Sequence, residues 1–221
     1  MLNVLKESKS KELLVLTPLL TGHKISSETK TSIKKNDIDF TWISYEGSGK
    51  HATNVQAGLD QFKKQFNFLP NYIQIIDRDI ILGRNMLDKL HSVIKKSHLA
   101  FSYCPFEYSG HVNIKFPPME YDIKKLLKGN YISSNSMYDS KIVEEVGGFV
   151  TDETIHRMSD WAMVLKLYKH GYIGGLCFST SFIAMSTKND ISAGSNEEFY
   201  STKKLIHRDF IEPILDQLRQ T

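Results

Sequence analysis

Three consecutive residues, Asp77-Arg78-Asp79, are the part of the sequence with the most chemical potential. They follow the apolar run Tyr72 to Ile76 directly, so two carboxylates at alternate positions emerge where a strand ends. Hard divalent cations such as Mg²⁺ and Mn²⁺ take oxygen ligands. One or two carboxylates, completed by the phosphates of a substrate, commonly hold such an ion. With no cation between them, two close carboxylates repel and one tends to keep a proton. The plainer reading is a solvated loop with an Asp-Arg pair.

Asp160 is the second carboxylate of interest. It follows Ser159 near the start of the helical stretch Arg157 to His170, where by itself it favours the helix dipole. Gly47-Ser48-Gly49-Lys50 stands before another helix and could offer backbone N–H groups to phosphate. It lacks the glycine four residues upstream that a phosphate-binding loop requires, and reads as a turn. His23, His51, His111 and His156 show no metal-ligand spacing and read as surface histidines. Trp42 and Trp161 read as core or cleft walls, and Ser48, Ser134 and Ser136 lie in no nucleophile-elbow context.

The elements that must position these residues follow from hydrophobic periodicity. LLVLTPLL (Leu13 to Leu20) is a buried strand expected to end near Pro18. A polar helix follows from Ser27, its expected cap, to Lys35. Asp39 to Glu46 is a strand, and Val55, Leu59, Phe62 and Phe66 mark an amphipathic helix stopped by Pro70. After the Tyr72 to Ile76 strand come a helix through Met86, Leu87, Leu90, Val93 and Ile94 and a fourth strand, Leu99 to Phe106. This alternation predicts an α/β fold with a mostly parallel sheet and helices on both faces. Ligands of such sheets bind beyond the carboxyl ends of the strands. Thr17-Pro18, Glu46-Gly47-Ser48 and Asp77-Arg78-Asp79 are therefore expected on one edge.

Beyond residue 106 the pattern is less regular. Ser109 to Pro118 reads as a loop or hairpin, Asp139 or Ser140 caps a short helix ending at Gly147-Gly148, and strands fall between Tyr172 and Met185. The tail after Asn196 turns helical, with Pro213 as a break or new start.

The 221 residues, 41% hydrophobic and 24% charged, suit one globular domain. A net charge of +3 argues against a dedicated nucleic-acid binder and is compatible with an anionic small substrate. Cys104 and Cys177 form no framework and suggest a reducing compartment. With no apolar leader and no run of membrane-spanning length, a cytoplasmic location is expected.

Taken in order, several segments resemble family 2 glycosyltransferases of the GT-A fold. LLVLTPLL resembles the first strand at the nucleotide pocket. His51-Ala52-Thr53-Asn54 through Ala57-Gly58-Leu59 is similar to the family's Ala-Arg-Asn-x-Gly-Leu helix start. YIQIIDRDIIL resembles the strand that delivers the Asp-x-Asp signature, and GNYISSNSMYDSKIVEEVGGF the acceptor-side segment ending in Gly-Gly-Phe. Ser159-Asp160-Trp161, with Leu165-Lys166-Leu167 and His170-Gly171-Tyr172, resembles the Glu-Asp-Trp helix.

The resemblance implies a metal-dependent transferase that moves a sugar from a nucleotide diphosphate sugar to a glycan or lipid-linked acceptor hydroxyl. Asp77 and Asp79 would bind Mn²⁺ or Mg²⁺, with Asp77 also near the ribose. Thr17, Pro18 and Glu46 would border base and ribose, Asn54 and Arg78 would join the donor-binding set, and Asp160 would be the catalytic base of an inverting attack. Closure of Ser109 to Pro118 would exclude water. The chain would form one domain, with a nucleotide-binding half to about residue 106, an acceptor-side half from 107 to 195 and a tail from 196 to 221. That tail, with Lys203, Lys204, His207 and Arg208 beside apolar residues, could touch an anionic membrane surface or a second copy.

Three departures from the family pattern stand out. Tyr45-Glu46 replaces a frequent Asp-Asp, Ser159 replaces an acidic residue, and the late strand Phe182 to Ser186 has no histidine, Ser186 to Asn189 taking its place. Loss of turnover would leave a sugar- or nucleotide-binding module. A haloacid-dehalogenase-type phosphatase also sets Asp-x-Asp after an apolar strand, but on its first strand, whereas Asp77 follows two strand–helix units and precedes Ile80. A nucleotidyltransferase would want a basic, glycine-rich loop where Leu19-Leu20-Thr21-Gly22-His23 stands.

Overall fold

The structure is a computed structural model and describes residues 1–187 and 196–220. Its strands and helices run β1 (Leu2–Lys6), β2 (Leu13–Leu20), α1 (Ser27–Ile33), β3 (Thr41–Gly47), α2 (His51–Phe66), β4 (Tyr72–Ile75), β5 (Ile80–Leu82), α3 (Met86–Ser97) and β6 (Phe101–Tyr103). The chain continues through β7 (Phe106–Gly110), β8 (Ile114–Phe116), α4 (Ile123–Leu126), β9 (Met137–Asp139) and α5 (Ser140–Glu145). A 3₁₀ turn (Glu153–Met158) leads into α6 (Ser159–Lys169), then β10 (Gly174–Leu176) and β11 (Phe182–Ser186). The last described stretch holds α7 (Asn196–Ile206), a π-helical turn (His207–Ile211) and α8 (Glu212–Arg219).

Seven strands form one sheet in the order β1-β3-β2-β4-β9-β6-β10. β3, β2 and β4 pair in parallel, as do β6 and β10, while β9 enters between β4 and β6 antiparallel to both, and β1 closes the edge antiparallel to β3. The expected mostly parallel sheet with helices on both faces is what forms. β2 explains how. Side chains alternate across a strand, so Leu13 and Val15 enter one apolar layer with α3 residues Met86, Leu87, Leu90 and Ile94. Leu14 and Leu16 enter the opposite layer with Val55, Leu59 and Phe62 of α2 and Met163, Val164 and Leu167 of α6. A continuous apolar run is what a strand covered on both faces needs. Helix α2 lies so close to the sheet at Gly58 that a Cβ there would stand 2.9 Å from Tyr45 Cβ and 3.0 Å from Leu16 Cδ1.

The second sheet, β5-β11-β7-β8, has only four strands. β7 and β8 make the hairpin expected within Ser109 to Pro118, and stacked rings of Phe106, Phe116 and Phe182 fill its face.

Several boundaries differ from the sequence reading. β2 runs past Pro18 to Leu20, because β3 stays paired with it to that point, whereas β4 pairs with it only as far as Leu16. Pro18 faces that same unpaired edge, where its missing N–H removes no ladder bond. Ser26, not Ser27, caps α1, its side chain accepting from Thr29 N at 3.0 Å. The run Leu99 to Phe106 is not one strand. It divides around Cys104-Pro105 into β6 of the large sheet and β7 of the small one. β1 and β5 are short, at five and three residues, and were not expected. Lys188 and Asn189, set against the family's late histidine, lie outside the described residues, as does the junction of acceptor half and tail at residue 195.

Candidate functional site

Asp77 marks the point where the chain leaves the large sheet. β4 ends at Ile75, and Asp79 immediately precedes β5 of the small sheet, its carbonyl accepting from Met185 N on β11 at 3.0 Å. The Arg78 carbonyl accepts from Ser26 N and from Thr29 Oγ1, both at 2.9 Å, which ties the triplet to the start of α1. The Asp-Arg-Asp sequence is thus the joint between two sheets.

The Asp77 side chain is 27% exposed and fully engaged within the protein. His51 Nε2, from the first residue of α2, lies 2.6 Å from Oδ1. Asn135 closes a reciprocal pair: its Nδ2 donates to Asp77 Oδ2 at 2.9 Å, and its Oδ1 accepts from Asp77 N at 2.8 Å. Ser134 Oγ stands 3.5 Å from Oδ2. Burial pushes the Asp77 carboxyl up, but His51, Asn135 and Ser134 outweigh it and hold the group below the usual carboxylate range. Burial likewise pulls the His51 imidazole down. The charge and hydrogen bond of Asp77, with the charges of Asp160 and Asp79, outweigh that effect and raise it.

Asp160 completes the cluster from the first turn of α6. Its Oδ1 accepts from Trp161 N at 2.7 Å. Burial raises its pKa to about 6, against the opposing effects of the Trp161 N–H and of His51 and with a further push from Asp77. The charges of three carboxylates therefore act on one imidazole, which bonds to Asp77. Among the described residues, no three His, Cys, Asp or Glu side chains are grouped to hold a metal ion unaided. A cation that arrives with phosphate oxygens needs only one or two protein carboxylates. Asp77 Oδ1, which bonds to His51, keeps a further lone-pair direction. Such a donor set suits an ion brought by a substrate rather than a preformed protein cage.

The other expected ligand residues divide. Glu46 lies at the same edge, where its Oε1 accepts from Gly22 N at 2.8 Å and fixes the loop after β2. Asn54 is buried, and its amide donates to Leu19 O at 3.0 Å and Gly47 O at 3.2 Å, clamping the ends of β2 and β3 together. Thr17 is wholly buried, its hydroxyl accepting from Trp42 Nε1 at 3.1 Å, and Pro18 is buried too. These two side chains lie within the strand end rather than on its surface.

Two readings change. His51 is a site residue rather than a surface histidine, with its side chain 22% exposed, and the His156 side chain is 15% exposed. Asn135 is the residue that sequence reasoning passed over. The signal for both was present: His51 opens the helix after a strand-end turn, and Asn135 lies within GNYISSNS, where a polar run precedes β9 beside β4.

Two hollows lie away from these residues. One of about 230 Å³ is lined by residues of α2 and α5 that include Gln56, Lys63 and Glu144, and an open groove runs past Glu12, Asp88 and His91. Neither includes Asp77, Asp79 or Asp160. Asp77 and His51 stand at the carboxyl ends of β4 and β3.

With this geometry the chain compares closely with solved transferases. It has the GT-A fold. S. aureus TarS 1–349 in complex with UDP-GlcNAc superposes with a TM-score of 0.67 at 12% identity, over 88% of this chain and 65% of that one. The mannosyltransferase PcManGT from Pyrobaculum calidifontis, in complex with GDP-Man and Mn²⁺, superposes with a TM-score of 0.54 at 13% identity, over 82% of this chain and 59% of that one. A197 from STIV is also similar, with a TM-score of 0.50 at 11% identity over 79% of this chain and 86% of the other. The chain thus spans less than two thirds of TarS 1–349 and of PcManGT. No protein-family model matches the sequence, and no curated protein matches it. Among the described residues no helix is long and apolar enough to cross a membrane.

Proposed function

We propose that this protein is a nucleotide-sugar glycosyltransferase that passes a sugar from a nucleoside diphosphate to an acceptor hydroxyl. The observation that carries this reading is that Asp77, Asp79 and Asp160 all act by charge on His51, which bonds to Asp77, at the carboxyl edge of a GT-A sheet. They come from the end of β4, the start of β5 and the first turn of α6, and open α/β sheets take ligands at that edge. TarS and PcManGT are solved with UDP-GlcNAc and with GDP-Man and Mn²⁺, which supports a sugar nucleotide as the ligand here. The order of the matching segments favours an inverting, family 2 type of transferase.

Charge supports a divalent ion as part of the donor complex. Three carboxylates against one imidazolium leave the cluster net negative, and a bare diphosphate would be repelled from it. Asp79 and Asp77 would hold Mn²⁺ or Mg²⁺ against the diphosphate, where the ion would supply Lewis-acid neutralisation of the leaving group. The protein's own part is positioning and proton transfer. Asn135 and His51 fix Asp77. Asp160, with Oδ1 engaged by Trp161 N–H, presents Oδ2 to take the acceptor hydroxyl proton as that oxygen attacks the anomeric carbon. A carboxyl near pH 6 is mostly ionised at neutral pH yet more basic than an exposed one, which suits a general base.

The decisive measurement is nucleotide release from a panel of sugar nucleotides with Mn²⁺. The transferase reading requires slow metal-dependent donor hydrolysis that Asp79→Ala abolishes. A non-catalytic binding module, favoured only by the way His51 and Asn135 already satisfy Asp77, would bind donor and release nothing. Phosphomonoester cleavage lost in Asp77→Asn would instead indicate a phosphatase.

A further inference from the structure

Asp160 stands in a helix start that is not fixed locally. Met158, the residue before α6, has φ −129° and ψ 23°, and α6 has no side-chain cap. The preceding turn, Glu153–Met158, is 3₁₀ and is broken at Ile155 (φ −115°, ψ 15°). Turns of this type hold themselves with poor hydrogen-bond geometry, so the position of Asp160 has to be set by contacts from elsewhere.

Those contacts come from the carboxyl-terminal helices. Ile155 and Met158 share an apolar cluster with Ile206, Ile211 and Ile214. Above it, Arg157 is almost wholly buried, its side chain only 7% exposed, and its Nη1 lies 3.4 Å from Glu198 Oε2 on α7. His156 donates through Nδ1 to Glu153 O at 2.8 Å, and its Nε2 lies 3.6 Å from Glu198 Oε1. One carboxylate therefore lies against two adjacent side chains, His156 and Arg157, one helical turn before Asp160. A buried guanidinium needs such a partner, because an uncompensated buried charge is costly. Ser159 Oγ, donating to His156 O at 3.1 Å, passes the constraint to the residue next to Asp160.

We propose that Glu198 is a positioning residue for Asp160, acting through His156 and Arg157. The proposal rests on the reading of Asp160 as the acceptor-activating carboxylate, but its first test does not need activity. In the full chain, Glu198→Gln and Glu198→Ala should shift the backbone amide resonance of Trp161, which donates to Asp160, and leave the Trp42 indole N–H unmoved. UDP with Mn²⁺, as a binding probe, should bind both variants as it binds wild type. With whichever sugar nucleotide supports transfer, kcat should fall by about tenfold with donor KM unchanged, the cost of a small misplacement of a reacting group. Glu198→Asp should restore part of it. A Trp161 amide that stays in place in both variants, or wild-type kcat in both, overturns the proposal. So does a loss confined to UDP affinity or to overall stability. If wild type transfers sugar from no donor, the functional reading fails while the Trp161 arm still decides whether Glu198 sets the Asp160 turn.

Discussion

The stretch from β2 to β4 and the stretch from β9 to α6 use their polar residues in opposite ways. In the first, several polar groups are satisfied by the fold itself: Thr17 by the Trp42 indole, Asn54 by the carbonyls of Leu19 and Gly47, Glu46 by the Gly22 amide. These bonds bring strand ends together and leave an ordered backbone edge. In the second, Asp160 is held at a raised pKa by burial, and the Lys166 amine is lowered by burial while it donates to Gly148 O at 2.8 Å. Charges kept where the ionised form is disfavoured weaken a fold, and they are found where chemistry needs them. The contrast suggests that the first region builds that edge and the second supplies the reacting group.

The strongest way to break this comparison is Asp160→Asn. Transfer should fall by about 10²- to 10⁴-fold, the usual contribution of a positioned general base, while nucleotide affinity measured by calorimetry stays as in wild type. Equal transfer by the variant would remove Asp160 from that role. On the other side, Asn54→Ala should leave the carbonyls of Leu19 and Gly47 without their side-chain donor and cost about 2 to 3 kcal/mol in urea titrations. A neutral result would show that the strand ends need no clamp.

A smaller effect of opposite sign sharpens the contrast. The folded-state pKa of Asp160 lies above its unfolded value, so stability is fully present below the ordinary aspartate range and declines as pH rises through about 6. Without divalent ions, Asp160→Asn should therefore be more stable than wild type at pH 8, by about 1 kcal/mol once solvent access is discounted, and equal to it at pH 3. A variant less stable at pH 8 would contradict the burial of a costly charge.

The smallest expected effect is at Glu12. Hydrogen bonding from Lys95 first, then from Asn71 and His91, outweighs burial and lowers its pKa to about 2. Its stabilisation is present above the ordinary glutamate range and lost as pH falls towards 2. Glu12→Gln should cost less than about 1 kcal/mol at pH 7, since such a pair is partly screened by water, and nothing at pH 2. A loss that persists at pH 2 would mean that packing, not charge, is at work.

Much of the fold was legible because local chemistry dictates it. The continuous apolar run in Leu13 to Leu20 and the helical spacing of Val55, Leu59 and Phe62 suffice for strand and helix, and the order of such elements suffices for a parallel sheet. Asp77 and Asp160 were recognisable from their places at a strand end and a helix start. What was illegible depends on pairing over long sequence separation. Nothing near Leu99 to Phe106 announces that the run divides between two sheets, since its two parts are separated by the partners they find, β9 and β10 for one and β11 and β8 for the other.

The site shows the same boundary. The sequence by itself determined which carboxylates exist and that strand ends present them, because periodicity and strand termination are local properties. Only the tertiary structure decided that His51 bonds to Asp77, that Asn135 locks Asp77, and that Thr17 and Pro18 lie beneath the surface. Those contacts join residues far apart in the chain, and a charge acquires its pKa and its partner only from the neighbours that folding supplies.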